Sequence, residues 1–238
     1  MTNKSILRKS GHSRNIFQTG EYIRHFRPED KRNPFSKIYK QKKQDTIKLI
    51  NGSGGPRTVL DIGGGMGRLS LELALSGQNR VVLVDISTDM LKLAIERAGN
   101  VNKIRPVNSD AHYLPFRDRT FDFVVGLDLL CHMKRPETVL SEFHRVLKDE
   151  GTLIIDSTNS NPLWTIFYPR YMGKNPLNWL KTMKFQGVLP GWEKIVRHYS
   201  KDEFFALLTK AGFEITKNLN YGPGICPKWH LAVSAKRI

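Results

Sequence analysis

A glycine-rich turn between a buried strand and a helix constrains the fold of this chain more than any other feature. Residues 57–62 (RTVLDI) are largely β-branched and apolar, which predicts a strand, and residues 67–76 (GRLSLELALS) carry apolar side chains at helical spacing. The turn between them reads Gly63-Gly64-Gly65-Met66-Gly67. Glycines at such a turn let the main chain bend tightly and let a ligand approach its N–H groups.

The same alternation of strand and helix continues through the centre of the chain. Further strands are predicted at residues 80–86, 104–108, 121–127, 152–156, 213–218 and 230–235. Helices are predicted to begin after Ser87, at Pro136 and at the capping box formed by Ser200 and Glu203. Alternation at this spacing predicts an α/β fold, with a doubly wound, mostly parallel sheet and helices on both faces.

The charge of the chain is concentrated in its two flanks. The sequence has 38 Lys plus Arg against 22 Asp plus Glu, a net charge of +16. Residues 1–58 carry a net +10, residues 59–158 a net −2 and residues 159–238 a net +8. Because segments of unlike charge usually have unlike roles, the near-neutral centre and the basic flanks are expected to differ in function.

Composition excludes several classes of protein. Two cysteines, Cys131 and Cys226, cannot form a disulfide framework, and no CxxC spacing indicates structural zinc. The most apolar stretch, residues 123–131, is far shorter than the roughly 20 residues of a membrane span. The first 20 residues lack the apolar region of a secretory signal, so a cytoplasmic protein is predicted. Their four basic residues and three serines leave mitochondrial import as an alternative.

Three acidic residues follow successive predicted strands. Asp61 lies at the end of the first strand, Asp85 at the end of the second and Asp110 just after the third. Ligands of open α/β sheets bind at this carboxyl edge, where Asp85 could accept both hydroxyls of a ribose and Asp110 an adenine amino group. A carboxylate at the position of Asp61 repels a pyrophosphate but suits a cationic or amino-bearing ligand.

The glycine turn fits neither of two common nucleotide-binding patterns. A P-loop needs Gly-Lys-Ser/Thr at the start of the helix, whereas Arg68 and Leu69 follow Gly67. The dinucleotide pattern G-x-G-x-x-G places its third glycine at Arg68. The pattern that does fit is Asp-x-Gly-x-Gly-x-Gly, beginning at Asp61.

With these features the sequence resembles the class I S-adenosylmethionine-dependent methyltransferases, and most of all the small-molecule group typified by the ubiquinone/menaquinone enzymes. The segments that carry the resemblance are DIGGGMGRLSLELA (61–74), VDIS (84–87), SDAHYLPF (109–116), FDFVVGLDLLCHM (121–133) and RVLKDEGTLIID (145–156). The resemblance implies a Rossmann-like sheet of seven strands whose last strand runs antiparallel.

The resemblance also implies a set of cofactor-binding residues. It assigns the methionine part of S-adenosylmethionine to Asp61 and the glycine loop, that is Gly63, Gly64, Gly65 and Gly67. It assigns the ribose to Asp85 with the adjoining Ile86, and the adenine to Asp110 with Ala111. It places Leu127 and Asp128 near the sulfonium.

The catalytic residues are less strongly indicated, because methyl transfer needs a general base only when the acceptor must lose a proton. His132, just after the fourth strand, is the first candidate for this base. Asp128 could orient the acceptor, and His198 and Tyr199 are second choices. No Asn/Asp-Pro-Pro-Tyr/Phe and no Pro-Cys motif follows the fourth strand, which disfavours adenine-amino and pyrimidine-C5 methylation. Asp128 and Asp156 lack the further Asp-Asn pair of a catechol-type metal site, so no metal is predicted.

The chain is expected to divide into four parts. Residues 1–56 form a basic tail and helical lid, residues 57–158 the cofactor-binding core, residues 159–200 an acceptor-side lid and residues 201–238 the end of the core. The predicted lid combines six basic residues with eight aromatic ones, namely Trp164, Phe167, Tyr168, Tyr171, Trp179, Phe185, Trp192 and Tyr199. Such a composition suits a hydrophobic or aromatic acceptor, which could be anionic or lipid-like.

The sequence therefore predicts methyl transfer from S-adenosylmethionine to O, N or C of a small acceptor. Two alternatives stay open. The basic flanks could bind the phosphates of an RNA or ribonucleoprotein substrate, or contact a membrane surface. The chain could instead be a noncatalytic partner protein that keeps the cofactor fold. Nothing in the sequence indicates the oligomeric state.

Overall fold

The computed structural model describes residues 34–76, 78–99, 102–160, 197–222 and 230–238. Its helices are α1 (Pro34–Asn51), α2 (Arg68–Ser76), α3 (Thr88–Ala98), α4 (Pro136–Val146) and α5 (Lys201–Lys210), with one 3-10 turn at Leu130–His132. Its strands are β1 (Thr58–Ile62), β2 (Arg80–Asp85), β3 (Ile104–Asn108), β4 (Phe121–Gly126), β5 (Leu147–Asn159), β6 (His198–Tyr199), β7 (Phe213–Asn218) and β8 (His230–Arg237).

The strands form one sheet in the order β3-β2-β1-β4-β5-β8-β7. The first five are parallel, and β8 runs antiparallel to both of its neighbours. This confirms the predicted doubly wound, mostly parallel sheet with an antiparallel last strand. The seven-stranded path is joined by a short eighth strand that was not predicted, β6, which pairs in parallel with the end of β5.

Helices cover both faces of the sheet. On one face α1 and α2 bury Ile50, Leu69 and Leu73 against β1 and β2, and α3 packs beside them. On the other face α4 and α5 bury Phe143 and Phe204 in a larger core. Residues of β2 alternate between the two faces, so that Val81 lies with α1 and α2 whereas Val84 lies in the opposite core. Both faces of a parallel sheet are therefore removed from water, which explains the nearly continuous apolar runs of its strands.

The predicted helix ends match the structure. Ser87 accepts a hydrogen bond from the N–H of Met90, Pro136 lies in the first turn of α4, and Ser200 forms a reciprocal capping box with Glu203. Strand ends were placed less well, because β4 ends at Gly126 rather than Leu127 and β5 is much longer than residues 152–156. The early start of β5 includes the pairing of Leu147 with Phe121 of β4, and its extension beyond Asp156 comes from pairing with β8 and β6, which the local sequence does not reveal.

Two predicted regions fall largely outside the described residues. These are the basic tail before Pro34 and residues 161–196 of the expected aromatic lid. Among the residues that are described, no helix has both the length and the apolar character that crossing a membrane requires.

Replacing Ser200 by Ala should destabilise the chain by about 1 kcal/mol, because the capping box satisfies two N–H groups at the start of α5. Urea unfolding of the two proteins measures this difference. Thr209→Ala is a matched control, since Thr209 is exposed at the other end of the same helix and its replacement should change stability by no more than about 0.5 kcal/mol. Equal midpoints for Ser200→Ala and the parent chain would show that the cap contributes nothing.

Candidate active site

The strand order reverses between β1 and β4, since β2 and β3 lie on one side of this pair and β5 lies on the other. The carboxyl ends of β1 and β4 are therefore neighbours. Ligands of doubly wound sheets bind in the crevice at this point. The glycine turn follows β1, and residues 127–132 follow β4, so that two of the predicted functional segments line the same crevice.

The glycine turn has a conformation that only glycine adopts easily. Gly63, Gly65 and Gly67 all have positive φ, at 69°, 57° and 71°. The N–H of Gly63 donates to the carbonyl of Val84 over 2.7 Å, which fixes the turn to the end of β2. A side chain at Gly65 would meet no atom within 4 Å, so this glycine faces open space. The turn is therefore a fixed main-chain cradle with room for a ligand in front of Gly65.

The carboxylate of Asp61 lies behind this turn. Asp61 is 2% exposed, and its Oδ2 accepts a 2.6 Å hydrogen bond from the hydroxyl of Ser70 in α2. A side chain at Gly64 would lie 2.6 Å from the same oxygen, so Gly64 must be a glycine for the turn to pass over the carboxylate. Burial raises the pKa of Asp61; the hydrogen bond from Ser70 opposes this rise and the charge of Asp85 adds to it, and the resulting pKa is about 6.

Asp85 joins the glycine turn to the start of α3. Its Oδ2 accepts from the N–H of Gly65 over 2.9 Å, and its Oδ1 accepts from the N–H of Ser87 over 2.8 Å. Burial raises the pKa of Asp85, and these main-chain N–H groups oppose the rise. Each carboxylate oxygen can accept more than one hydrogen bond, so Asp85 could also receive two hydroxyl donors. Ile86, which follows it, is half-buried.

The third predicted acid has a local partner that the sequence did not indicate. Oδ1 of Asp110 lies 3.0 Å from the N–H of His112, which donates to it, and 2.7 Å from Nδ1 of the same residue. Ala111 between them is buried. This short turn fixes the orientation of the Asp110 carboxylate at the end of β3. Its predicted role toward adenine stays a prediction.

A buried group of charged side chains lies on the β4 side of the crevice. Asp156 in β5 is fully buried and His230 at the start of β8 is 8% exposed. Asp128 follows β4, and its side chain is 38% exposed. The ammonium of Lys42, from α1, contacts all three side chains. We call these four residues the lysine cluster.

Lys42 is the centre of the lysine cluster and is itself only 1% exposed. Its Nζ donates to Oδ1 of Asp128 over 2.5 Å and to Oδ2 of Asp156, and it lies 3.0 Å from Nδ1 of His230. Burial alone would lower the pKa of Lys42, but the two carboxylates outweigh it and raise the pKa. Burial alone would raise the pKa of Asp156, but the Lys42 charge and His230 hold it well below its usual range. The pair is therefore ionised at neutral pH.

The same helix places an aromatic ring at the crevice. The guanidinium of Arg68, the first residue of α2, lies 4.3 Å from the ring centre of Tyr39. Burial raises the pKa of Tyr39, and the nearby charges of Asp61 and Asp128 add to the rise. Tyr39 therefore contacts the first residue after the glycine turn, and it lies on the same helix as Lys42.

The lysine cluster also bears on the question of a metal. Ligand atoms of Asp128, Asp156 and His230 lie within 4.8 Å of one another, a set of residue types that could hold a divalent ion. The Lys42 ammonium hydrogen-bonds to each of these three residues, and its positive charge offsets part of theirs. A metal ion at this place would have to displace Lys42 from its three partners.

The other catalytic candidates lie on the same side of the sheet. His132 ends the 3-10 turn after β4, and its N–H donates to the carbonyl of Leu129. His198 and Tyr199 form β6, which pairs with Thr158 and Asn159 at the end of β5. Tyr199 is 2% exposed, and burial raises its pKa to about 12, so its hydroxyl stays protonated at neutral pH. The roles of these three residues stay predictions.

Sequence reasoning missed Lys42 and His230 as site residues. A signal for Lys42 was present, since buried residues of α1 recur every four positions, at Ile38, Lys42, Thr46 and Ile50. A lysine within such a stripe needs an acidic partner. His230 gave no such signal, because only the antiparallel pairing of β8 with β5 brings it beside Asp156.

Comparison with known proteins agrees with this geometry. Residues 60–155 match the family described as "Methyltransferase domain". The chain is 30% identical over 202 residues to the ubiquinone/menaquinone biosynthesis C-methyltransferase UbiE of Stutzerimonas stutzeri, covering 79% of this chain and 77% of that protein. It is 33% identical over 197 residues to UbiE of Azotobacter vinelandii, covering 77% and 76% of the two chains.

Solved structures show the same fold at lower identity. Magnesium protoporphyrin IX methyltransferase from Synechocystis PCC 6803, with bound S-adenosylhomocysteine, has a TM-score of 0.70 at 21% identity and covers 99% of this chain and 100% of its own. The 1,6-didemethyltoxoflavin-N1-methyltransferase of Burkholderia thailandensis has a TM-score of 0.63 at 19% identity, covering 95% and 89% of the two chains.

The sheet order, the acid-flanked glycine turn and these matches define a class I S-adenosylmethionine-dependent methyltransferase. The chain belongs to the small-molecule methyltransferase family that includes the UbiE proteins, and S-adenosylmethionine is its cofactor. The residues at the crevice suit this cofactor, because Gly65 leaves open space and Asp61 and Asp85 provide negative charge for a cationic sulfonium.

Asp85→Ala should abolish the stabilisation that cofactor binding gives, if Asp85 holds the ribose as predicted. For the parent chain, S-adenosylhomocysteine at a hundredfold excess over its Kd should raise Tm by roughly 5–10 °C. Thermal unfolding with and without ligand measures the rise. Asp89→Ala is the control, since Asp89 is an exposed acid of α3, and it should keep the full rise. A full rise in Asp85→Ala would contradict the assigned role.

Asp61→Asn should stabilise the cofactor-free chain at neutral pH. The folded pKa of Asp61, about 6, is above the unfolded value of 3.8, so ionisation disfavours the folded state, and the cost develops as pH rises from 3.8 to about 6. The gain in the variant should therefore be absent near pH 4 and reach about 1–3 kcal/mol above pH 7.

Urea unfolding of Asp61→Asn and the parent chain across this pH range tests the expectation. Asp89→Asn, at an exposed position, should show no such difference. The variant should also bind S-adenosylhomocysteine more weakly, because it lacks the carboxylate behind the glycine turn. A gain that is independent of pH would contradict the explanation given for Asp61.

Proposed function

We propose that this methyltransferase transfers the methyl group to O, N or C of a small, hydrophobic or aromatic acceptor. In this proposal Asp61 and the turn Gly63–Gly67 receive the methionine part of the cofactor. Asp85 and Ile86 receive the ribose, Asp110 and Ala111 the adenine, and Leu127 lies beside the sulfonium. The acceptor then occupies the part of the crevice bordered by Asp128.

The main support for the proposal is that the two sides of the crevice carry different kinds of residues. On one side is the glycine turn with Asp61 and Asp85, which suits a cofactor with cationic groups. On the other side is the lysine cluster, which is almost entirely buried except for Asp128. The lysine cluster is largely enclosed, which suits a site for a small molecule. A nucleic acid requires an exposed and extended surface instead.

The names of the relatives support a small acceptor but do not fix its atom. The UbiE proteins are C-methyltransferases of ubiquinone/menaquinone biosynthesis, whereas the Burkholderia thailandensis enzyme is named as an N1-methyltransferase. The Synechocystis enzyme is named for magnesium protoporphyrin IX. The 30–33% identity to the UbiE proteins over three quarters of the chain makes a carbon acceptor the first to test.

The cofactor supplies an activated methyl group, so the chain's own residues need only orient the acceptor, exclude water and accept a proton where one must leave. In this proposal α1 helps to exclude water, since its Tyr39 lies against Arg68 beside the glycine turn and its Lys42 lies in the lysine cluster. Asp128 has a partly exposed carboxylate at the edge of the lysine cluster, which suits it to orient an acceptor. His132 lies four residues further along and is the first candidate for receiving a proton.

The RNA alternative rests on the net +10 of residues 1–58 and the net +8 of residues 159–238. It predicts tight RNA binding with a steep dependence on salt, because each phosphate contact releases counterions. The small-molecule proposal predicts methyl transfer that does not depend on added RNA.

A screen with methyl-labelled S-adenosylmethionine separates the two alternatives. The purified chain is incubated with metabolite extract and, in parallel, with total RNA, and Asp85→Ala serves as the control for cofactor-dependent labelling. We expect label in an organic-soluble small molecule, and mass spectrometry of a trideuteromethyl product then identifies the methylated atom. Label in RNA alone would contradict the proposal, and labelling by Asp85→Ala equal to that of the parent chain would contradict the assigned cofactor site.

A further inference from the structure

The lysine cluster leaves one of its carboxylate oxygens open to the crevice. Oδ1 of Asp128 accepts the hydrogen bond from Lys42, and Oδ2 of Asp128 has no hydrogen bond within the described part of the chain. The Asp128 side chain is 38% exposed, whereas those of Lys42 and Asp156 are 1% and 0% exposed. Within the described residues, Lys42 and Asp156 are therefore closed to water, and Asp128 is the member of the pair of carboxylates with an oxygen left to accept a further hydrogen bond.

The main chain holds Asp128 in an unusual conformation that fixes this atom. Asp128 has φ of 54°, in the left-handed region that non-glycine residues rarely adopt. Its N–H donates to Oδ1 of Asp156 over 2.6 Å. Asp156 therefore uses one oxygen for the main chain of Asp128 and the other for Lys42. Lys42 therefore holds the side chain of Asp128, and Asp156 holds its main chain.

One ammonium faces two carboxylates in the lysine cluster. Nδ1 of His230 lies 3.0 Å from Nζ of Lys42 and 3.3 Å from Oδ2 of Asp156. Of the two carboxylates, that of Asp128 is partly exposed and that of Asp156 is buried. A partly exposed carboxylate oxygen attracts a hydrogen-bond donor and repels an anionic oxygen.

Asp128 is also close to the cofactor side of the crevice. The adjoining Leu129 packs on the glycine turn, since a side chain at Gly63 would lie 2.8 Å from its Cδ1. Tyr39, three residues before Lys42 in α1, lies against Arg68, the residue that follows the glycine turn. A molecule bonded to Oδ2 of Asp128 would therefore stand beside the turn that is assigned to the cofactor.

We propose that Oδ2 of Asp128 anchors the methyl acceptor by accepting a hydrogen bond from its hydroxyl or amino group, and that Lys42 is the positioning residue that holds this carboxylate in place. The proposal rests on the proposed function and narrows its substrate class. The acceptor is a hydrophobic or aromatic molecule that presents an O–H or N–H group at its reacting end. A carboxylate or phosphate on the acceptor would have to lie elsewhere.

Binding of matched probes to the chain saturated with S-adenosylhomocysteine tests this directly, without any turnover. The probes are two matched pairs, phenol with anisole and 1-naphthol with 1-methoxynaphthalene, and each Kd is measured by NMR titration at neutral pH. In each pair the methyl cap removes the donor and adds one methyl group, and this added bulk is the same for the parent chain and its variants. We expect the parent chain to bind at least one hydroxyl probe about tenfold more tightly than its capped partner, as befits a hydrogen bond to a carboxylate.

Three variants separate anchoring from a merely structural role. Asp128→Asn keeps the left-handed conformation accessible but removes the charge, and its preference should fall below about threefold. Lys42→Met should reduce the preference as well, because Asp128 loses its partner. Lys43→Met is the matched control, since Lys43 is the next residue of α1 and pairs with the surface residue Glu72, and it should keep the full preference.

The outcomes distinguish this proposal from the proposed function. The thermal unfolding transition of Asp128→Asn, followed by circular dichroism, shows whether the variant is folded. The anchoring role would be overturned if the parent chain showed no preference for the hydroxyl probe in either pair. It would also be overturned if Asp128→Asn kept the parent's preference. Both results are compatible with methylation of small molecules by the chain. Labelling of RNA alone in the screen would instead overturn the proposed function.

Discussion

The Lys42 ammonium lies out of water between the carboxylates of Asp128 and Asp156, and much of the site depends on this arrangement. Taking such charges out of water costs several kcal/mol per ion, and only close pairing and full hydrogen bonding offset the cost. The contacts join α1 to the segment after β4 and to β5 and β8. Helix α1 is thereby fixed over the crevice, although it precedes the whole parallel sheet in the sequence.

This arrangement gives the two sides of the crevice different electrostatic roles. On the cofactor side, burial raises the pKa values of Asp61 and Asp85, so negative charge is available there for a cationic ligand at some cost to the stability of the free chain. On the other side, the Lys42 ammonium stabilises the negative charge of Asp156. A single crevice can therefore bind a sulfonium cofactor and orient a neutral donor group next to it.

Much of the fold and of the cofactor side could be predicted from the sequence, because the signals there are local. The turn Gly63–Gly67, the cap at Ser87 and the capping box at Ser200 each depend on a few adjacent residues. The lysine cluster could not be predicted, because its members lie 28 to 188 positions apart and meet only through the pairing of β5 with β4 and β8. Asp128 was found as a candidate, but its partners Lys42 and His230 were not.

A crystal structure of the chain with S-adenosylhomocysteine would show whether the glycine turn and the lysine cluster form one crevice with two roles. We expect ribose hydroxyls on Asp85, the thioether sulfur beside Leu127, and Lys42 still between Asp128 and Asp156. A ligand bound away from the glycine turn, or a thioether separated from Asp128 by protein side chains, would contradict this arrangement.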